Sequence, residues 1–89
     1  MKTLVVLFHG RVQGVNFRRS FAELARLHGI VGQVENLPDG SVRAYLQGSD
    51  DEIEELISEA QTHIKAAKIE SLERSFLDMG PFRDFQIKR

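Results

Sequence analysis

The clearest structural signals of the sequence lie in LVVLFHGRVQGVNFRRSFAELARLH, residues 4–28. It begins with an apolar run rich in β-forming residues, Leu4–Phe8, and such a short continuous run is typical of a buried strand. Beyond it, Gly10 and Gly14 bound a stretch that predicts a loop. Apolar residues then recur at helical spacing over Phe17–His28. A strand, a loop and an amphipathic helix therefore follow one another.

The middle of the chain predicts a β-hairpin and a second helix. Ile30–Leu37 and Ser41–Gln47 alternate between two faces, and Pro38-Asp39-Gly40 between them is a tight-turn sequence. In the second strand Val42, Ala44 and Leu46 are expected to point inward, and Ser41, Arg43, Tyr45 and Gln47 outward. Ser49–Glu52 is a capping box, and apolar residues at helical spacing follow it.

Two further strands are predicted over Ala67–Phe76 and Phe82–Lys88. The order β-α-β-β-α-β, with a short final strand, is that of the ferredoxin-like arrangement. We expect an α+β sandwich in which one antiparallel sheet carries both helices on one face. A length well below ~150 residues and the lack of a linker predict one domain over residues 1–89.

Composition excludes several classes of function. The chain has no cysteine, and 12 Lys and Arg stand against 13 Asp and Glu. Disulfides, zinc–thiolate sites, iron–sulfur clusters and a cysteine nucleophile are therefore excluded. The near-neutral charge offers no bulk attraction to nucleic acid or to an anionic membrane. No apolar stretch reaches the ~20 residues of a membrane span, and the apolar N-terminus is too short for a secretory signal, so we expect a cytoplasmic protein.

The junction between the first strand and the first helix is the strongest candidate for a binding site. Backbone N–H groups of a loop bounded by glycines can converge on one point, and a helix N-terminus adds positive potential. Arg18, near the first helical turn, can add a bidentate guanidinium, so the junction suits a phosphate. Neither the Walker A pattern nor G-x-G-x-x-G is present. The spacing alone is also compatible with glycines that only turn the chain and an arginine solvated at the helix end.

Two motifs together resemble those of the acylphosphatase family. The motif G-x-V-Q-G-V-x-F-R is complete at residues 10–18. The second motif, roughly G-W-V-x-N-x-x-D-G-x-V, is matched at residues 32–42, except that Gln33 stands where the family usually has tryptophan. The length, the element order and the Phe85-x-Ile87 ending are also similar to that family. The resemblance therefore covers essentially the whole chain.

The resemblance implies an enzyme that hydrolyses acyl phosphates, such as acetyl phosphate or 1,3-bisphosphoglycerate, to a carboxylate and inorganic phosphate. Arg18 would bind the phosphate, and Asn36 would orient the attacking water. Backbone amides of a loop would cradle the phosphoryl oxygens; its residues are Gly10, Arg11, Val12, Gln13, Gly14 and Val15. The leaving carboxylate has a conjugate acid of pKa roughly 4 and needs no strong general acid. We therefore expect no metal and no cofactor, the substrate as the only partner, and a monomer.

The sequence departs from the usual family pattern at two positions, and two other functions fit the same element order. Gln33 is expected to change stability or pocket shape rather than mechanism, and Asn16, at a variable position often occupied by glycine, would narrow the pocket mouth or alter substrate preference. A non-catalytic anion-binding or regulatory domain of the same fold is one alternative, although binding alone would not require Asn36. An RNA-binding sheet with the same element order is the other. It requires an RNP1-like pattern that is absent, and Tyr45 is the only aromatic residue of the hairpin.

Several other polar residues have both a functional and a structural interpretation. His9 precedes the loop and would add positive charge near a substrate at lower pH, or would only end the strand. His28 is predicted to be a helix C-terminal residue favoured by the dipole. The acidic run at residues 50–55 predicts a helix N-terminus rather than a metal site. The local basic cluster, which would attract an anion or simply solvate a helix face, comprises Arg11, Arg18, Arg19 and Arg26.

Overall fold

Five strands form one sheet, and two helices pack on it, in a computed structural model that describes residues 1–89. The strands are β1 (Lys2–Arg11), β2 (Val31–Asn36), β3 (Val42–Gln47), β4 (Lys68–Asp78) and β5 (Phe85–Lys88). The helices are α1 (Phe17–Leu27) and α2 (Asp50–His63). The chain order β1-α1-β2-β3-α2-β4-β5 confirms the predicted ferredoxin-like α+β architecture.

The sheet is mixed, so the expectation of an antiparallel sheet is wrong for its last strand. The strands lie in the order β4-β1-β3-β2-β5. All neighbours are antiparallel except β2 and β5, which run parallel with Gly32 opposite Phe85 and Glu35 opposite Lys88. Because β4 and β2 run in opposite directions, a chain that reverses after β4 and pairs beyond β2 must run parallel to β2. No local sequence pattern indicates that the chain passes from β4 at one edge of the sheet to β5 at the other edge.

The hydrophobic core lies between the helices and one face of the sheet. Inward residues of β1 and β3, Leu4, Val6, Phe8, Val42, Ala44 and Leu46, are all buried. Phe17 and Phe21 of α1 are also buried, and their ring centroids lie 5.2 and 5.3 Å from that of Phe8. α2 buries Ile53, Leu56, Ile57 and Ala60 in the same cluster. Both helices therefore cover one face, as predicted, and Phe17 and Phe21 belong to the core between α1 and the sheet.

Gly10 and Arg11 belong to β1 rather than to a loop, which corrects the predicted loop boundary. After a bulge between His9 and Gly10, these two residues pair with Ile69 and Lys68 of β4. A Cβ atom on Gly10 would lie 2.2 Å from the carbonyl oxygen of Lys68, and its φ is +129°. Glycine is therefore required by the close approach of β4, rather than by the approach of a ligand.

Gln47 is buried, although the alternation of β3 predicted that it points outward. Its Nε2 donates to Thr3 Oγ1 and to the carbonyl oxygen of Gly80, at 2.9 and 3.0 Å. Its Oε1 accepts a 2.9 Å hydrogen bond from the backbone N–H of Phe82. The segment between β4 and β5 thus covers one end of the sheet face that carries no helix. Alternation assigned the correct face of the strand but could not predict this covering segment.

The start of α2 follows its predicted signal, and a glycine lies just after the end of α1. Ser49 Oγ accepts a hydrogen bond from the backbone N–H of Glu52 at 3.3 Å, as the capping box requires. Gly29 follows α1 with φ +67°, the left-handed conformation that ends many helices. Neither α1 nor α2 combines the length and the apolarity needed to traverse a bilayer.

Candidate active site

One cavity brings together the residues that the two motifs single out. It has a volume of about 380 Å³ and lies between the β1–α1 loop, the start of α1, and the ends of β2 and β5. Its lining residues are Val12, Gln13, Gly14, Asn16, Phe17, Arg18, Arg19, Asn36, Ile87 and Arg89. We call it the Arg18 cavity. Arg18 and Asn36, which are 18 positions apart in the sequence, therefore share one site.

The predicted loop residues divide into three groups. Val12, Gln13 and Gly14 line the Arg18 cavity. Gly10 and Arg11 lie in β1, in the pairing with β4, and are not among the lining residues. The side chain of Val15 packs against the core instead. The loop that shapes the cavity is thus shorter than predicted and comprises residues 12–16.

Two residues in left-handed conformations turn the chain from β1 into α1. Gly14 has φ +74°, and Asn16 has φ +59° and ψ +25°. Glycine adopts this left-handed conformation without strain, and asparagine adopts it more readily than other residues with a Cβ atom. An asparagine is therefore tolerated at position 16. Asn16 occupies the N-cap position of α1, yet its side chain makes no capping hydrogen bond.

The start of α1 presents free backbone donors to the cavity. None of the backbone–backbone hydrogen bonds outside the helices and strands is donated by residues 12–19. Ser20 is the first to donate, to the carbonyl oxygen of Asn16 at 3.0 Å. The first turn also contains no acidic residue. Unsatisfied N–H groups and the positive end of the helix dipole therefore face the same space, an arrangement that favours an anion.

Arg18 is held in place by the last strand. Its Nη1 donates a 3.1 Å hydrogen bond to the carbonyl oxygen of Lys88. A guanidinium has five N–H donors, so the others stay available to an anion. Arg19 and Arg89 add two more cationic side chains, and no acidic residue lines the cavity. The electrostatic character of the cavity is therefore positive, although the net charge of the chain is −1.

The basic cluster at the cavity differs from the predicted one. Arg26, at the far end of α1, donates from Nε and Nη2 to the carbonyl oxygen of Phe85, at 3.2 and 2.7 Å. Arg11 lies in β1. Only Arg18 and Arg19 of the predicted cluster line the cavity, and Arg89 replaces the other two. Sequence reasoning missed Arg89 because only the parallel pairing of β5 with β2 brings it beside Asn36.

Asn36 lines the cavity and carries an acceptor without a hydrogen-bond partner. Its Oδ1 is buried, and no group of the protein donates a hydrogen bond to it. A buried acceptor without a donor costs about 1–3 kcal/mol, so such atoms are rare in structures unless water or a ligand supplies the bond. The position of Asn36 at the end of β2 therefore fits a residue that binds a small hydrogen-bond donor.

The turn after Asn36 is stabilised by Asp39. Its Oδ1 accepts hydrogen bonds from the Ser41 backbone N–H and the Ser41 hydroxyl, at 2.9 and 2.5 Å. The Ser41 hydroxyl, and then its N–H, hold the pKa of Asp39 below its usual value.

His9 does not line the cavity; its Nε2 lies 2.6 Å from Glu73 Oε2 on β4. This contact fits the structural interpretation of His9.

A group of side chains that could hold a metal ion lies at the other end of α1. His28, Glu52 and Glu55 have ligand atoms within 4.8 Å of one another. His28, however, already contacts a carboxylate with each ring nitrogen: Nδ1 lies 2.6 Å from Glu52 Oε1, and Nε2 lies 2.9 Å from Glu59 Oε2. The hydrogen bond to Glu52 is the largest of the effects that raise the pKa of His28. His28, Glu52 and Glu59 thus form a hydrogen-bonded link between the end of α1 and α2, roughly 15 Å from Arg18 along the helix.

A larger depression, of about 570 Å³, lies beside β5 and contains neither Arg18 nor Asn36. It shares Ile87 and Arg89 with the Arg18 cavity. Its other arginine is Arg26, which donates to the backbone of β5 as described above. Because Arg18 and Asn36 line only the smaller Arg18 cavity of these two, that cavity is the better candidate for the active site.

Fold and site together define a small ferredoxin-like domain with a cavity that is lined by three arginines and a partly buried asparagine. The acylphosphatase family model matches residues 4–87. An acylphosphatase of Thermoplasma volcanium is 40% identical over 89 residues, which cover 100% of this chain and 99% of the relative. An acylphosphatase of Thiobacillus denitrificans is 43% identical over 86 residues, covering 97% and 96%. The crystal structure of acylphosphatase from Bacillus subtilis has the same fold, with a TM-score of 0.92, 22% identity and 100% of both chains covered. The chain belongs to the acylphosphatase family, whose members are hydrolases.

Proposed function

We propose that this acylphosphatase works at the Arg18 cavity, with Arg18 and loop amides holding the phosphoryl group and Asn36 orienting water. The observation that carries the proposal is that one cavity contains three complementary features. These are the Arg18 guanidinium, the N–H groups of residues 12–19 without backbone acceptors, and the side-chain amide of Asn36, whose Oδ1 has no hydrogen-bond partner. The first two bind an anion, and the third accepts a hydrogen bond from water.

The phosphoryl group is the part of the substrate that such a site can stabilise. Its oxygens carry negative charge in the ground state and in the transition state, and fixed donors lower the energy of the latter. Arg18 supplies a planar fork, and the start of α1 supplies N–H groups that need no reorganisation. The loop from Val12 to Asn16 is thus proposed as the phosphate-binding loop.

Asn36 is proposed to position the nucleophile. Its Oδ1 accepts a hydrogen bond from a water molecule, which attacks phosphorus opposite the carboxylate leaving group. A phosphorus–oxygen bond to water forms as the bond to the acyl oxygen breaks, and the carboxylate leaves with the electron pair. No carboxylate or histidine lines the cavity, so the proton of water passes to a phosphoryl oxygen or to solvent.

We infer that hydrolysis requires no metal ion. The leaving carboxylate is a weak base, and the cavity lining contains no carboxylate, histidine or cysteine, the usual protein ligands of magnesium and zinc. We further infer a monomer, because one chain supplies every residue that lines the cavity. A cytoplasmic location is also proposed.

The proposal is tested by the hydrolysis of benzoyl phosphate in the presence of EDTA, with inorganic phosphate as a competing anion. We expect turnover well above spontaneous hydrolysis and competitive inhibition by phosphate. The Arg18→Ala variant is assayed beside the wild type to identify a contaminating phosphatase. Turnover that equals the background rate, or that requires added magnesium, would contradict the proposal.

A further inference from the structure

The side chain of Gln13 connects the two halves of the Arg18 cavity. Its Nε2 donates to the carbonyl oxygens of Leu37 and Ser41, at 2.8 and 2.9 Å. Gln13 belongs to the loop that follows β1, whereas Leu37 and Ser41 flank the turn between β2 and β3. One primary amide has two N–H donors, so both donors are used across this gap.

The turn held by Gln13 is the one that carries Asn36. Leu37 directly follows Asn36, and its N–H donates to the carbonyl oxygen of Ser41 at 2.9 Å. Ser41 therefore accepts from Leu37 and from Gln13 at once. No other side-chain hydrogen bond joins residues 12–16 to residues 36–41. Gln13 is thus the one side chain whose hydrogen bonds join the loop to the turn that follows Asn36.

We propose that Gln13 is a positioning residue, which places the Asn36 amide relative to the loop that holds the phosphoryl group. The inference rests on the proposed function, because it assigns Gln13 to the alignment of the attacking water. Alignment matters because a displacement of about 1 Å between reacting groups can cost ~10²-fold in rate. Gln13 itself is not required to touch the substrate.

The Gln13→Met variant removes both donors and keeps nearly the same length. We expect kcat for benzoyl phosphate to fall on the order of 10- to 100-fold. The inhibition constant of inorganic phosphate should change by less than about threefold, because Arg18 and the loop amides stay in place. A fall in kcat with an equal loss of phosphate binding would overturn the proposal, since Gln13 would then shape the loop itself.

A double-mutant cycle with Asn36→Ala separates positioning from general structural support. If Gln13 acts through Asn36, then Gln13→Met should lower kcat by less than about twofold when Asn36 is already alanine. An equal loss in both backgrounds would show that Gln13 does not act through Asn36. A wild-type protein that fails to hydrolyse acyl phosphates would instead contradict the proposed function itself.

Amide hydrogen exchange gives a readout that does not depend on turnover. Gln13→Met should increase the exchange rate at Leu37 and leave the amides of α2 unchanged. Gln61→Met, at an exposed position of α2, makes the same substitution far from the loop and should change neither exchange nor kcat. Unchanged exchange at Leu37 in Gln13→Met would show that the turn does not depend on Gln13, and the proposal would be wrong.

Discussion

Arg18 and Lys88 are joined by a 3.1 Å hydrogen bond from the guanidinium Nη1 to the backbone carbonyl oxygen. This bond connects the first turn of α1 to the last residue of β5, which are 70 positions apart. Because the guanidinium is planar, the hydrogen bond from Nη1 restricts the directions in which the other N–H groups of Arg18 point. The short strand β5 is therefore part of the site, since it orients the side chain proposed to bind phosphate.

Arg18→Lys should lose most of the activity although the positive charge remains. A lysine cannot donate to Lys88 and also present a two-donor fork to a phosphoryl group. We expect kcat/KM for benzoyl phosphate to fall roughly 10²- to 10³-fold, as for the loss of an oriented transition-state donor. Steady-state kinetics with phosphate as inhibitor measures both rate and binding. Arg83→Lys, at an exposed position outside the cavity, is the matched control and should stay within about twofold of the wild type.

Asn36→Ala should separate rate from binding. The variant loses the acceptor for water but keeps Arg18 and the loop amides, so kcat should fall on the order of 10²-fold while the phosphate inhibition constant changes little. It also removes the unpartnered buried Oδ1, so the free energy of unfolding should rise by up to about 1 kcal/mol. Urea denaturation checks the stability. An Asn36→Ala enzyme with the wild-type kcat would exclude the water-positioning role.

The elements of the fold could be predicted because their signals are local. The capping box at Ser49–Glu52, the turn at Pro38-Asp39-Gly40 and the apolar spacing of α1 each lie within a few residues of the structure they specify. The two motifs also identified Arg18 and Asn36, which share a cavity in the structure. Their assigned roles stay a prediction until kinetics test them.

The features that could not be predicted depend on contacts between distant segments. The parallel pairing of β5 brings Arg89 to the cavity, and no residue near position 89 encodes that direction. Gly10 is required by the carbonyl oxygen of Lys68, and Gln47 is buried by the segment around Gly80. In each case two segments that are far apart in the sequence come into contact in the sheet. The periodicity of neither segment indicates which partner it will contact.

The pair of ion contacts around His28 should make stability depend on pH. The hydrogen bond to Glu52 raises the pKa of His28 above its usual 6.5, in spite of the opposing effect of burial. A raised pKa in the folded state means that the stabilisation is complete below about 6.5 and is lost as pH rises through the folded-state value. His28→Gln should therefore destabilise by about 1–2 kcal/mol at pH 6 and by clearly less at pH 9.

Urea unfolding of both proteins at several pH values measures this difference. The series runs from about pH 6 to about pH 9, the range in which an imidazole loses its charge. His63→Gln, at an exposed site at the end of α2, controls for the loss of an imidazole. A destabilisation by His28→Gln that is the same at pH 6 and pH 9 would show that the charge of His28 does not contribute.

Substitutions of Asn16 should separate the effect of its backbone conformation on stability from the effect of its side chain on substrate preference. Its left-handed conformation costs a residue with an ordinary Cβ about 1 kcal/mol relative to glycine, so Asn16→Ala should be less stable than Asn16→Gly by about that amount. The side chain lines the cavity, and its removal in Asn16→Gly should widen the mouth. The ratio of kcat/KM for benzoyl phosphate to that for acetyl phosphate should then rise above the wild-type ratio, because we expect a wider mouth to favour the larger acyl group. A ratio that is unchanged in Asn16→Gly, in a variant that folds as stably as the wild type, would show that Asn16 serves the turn alone.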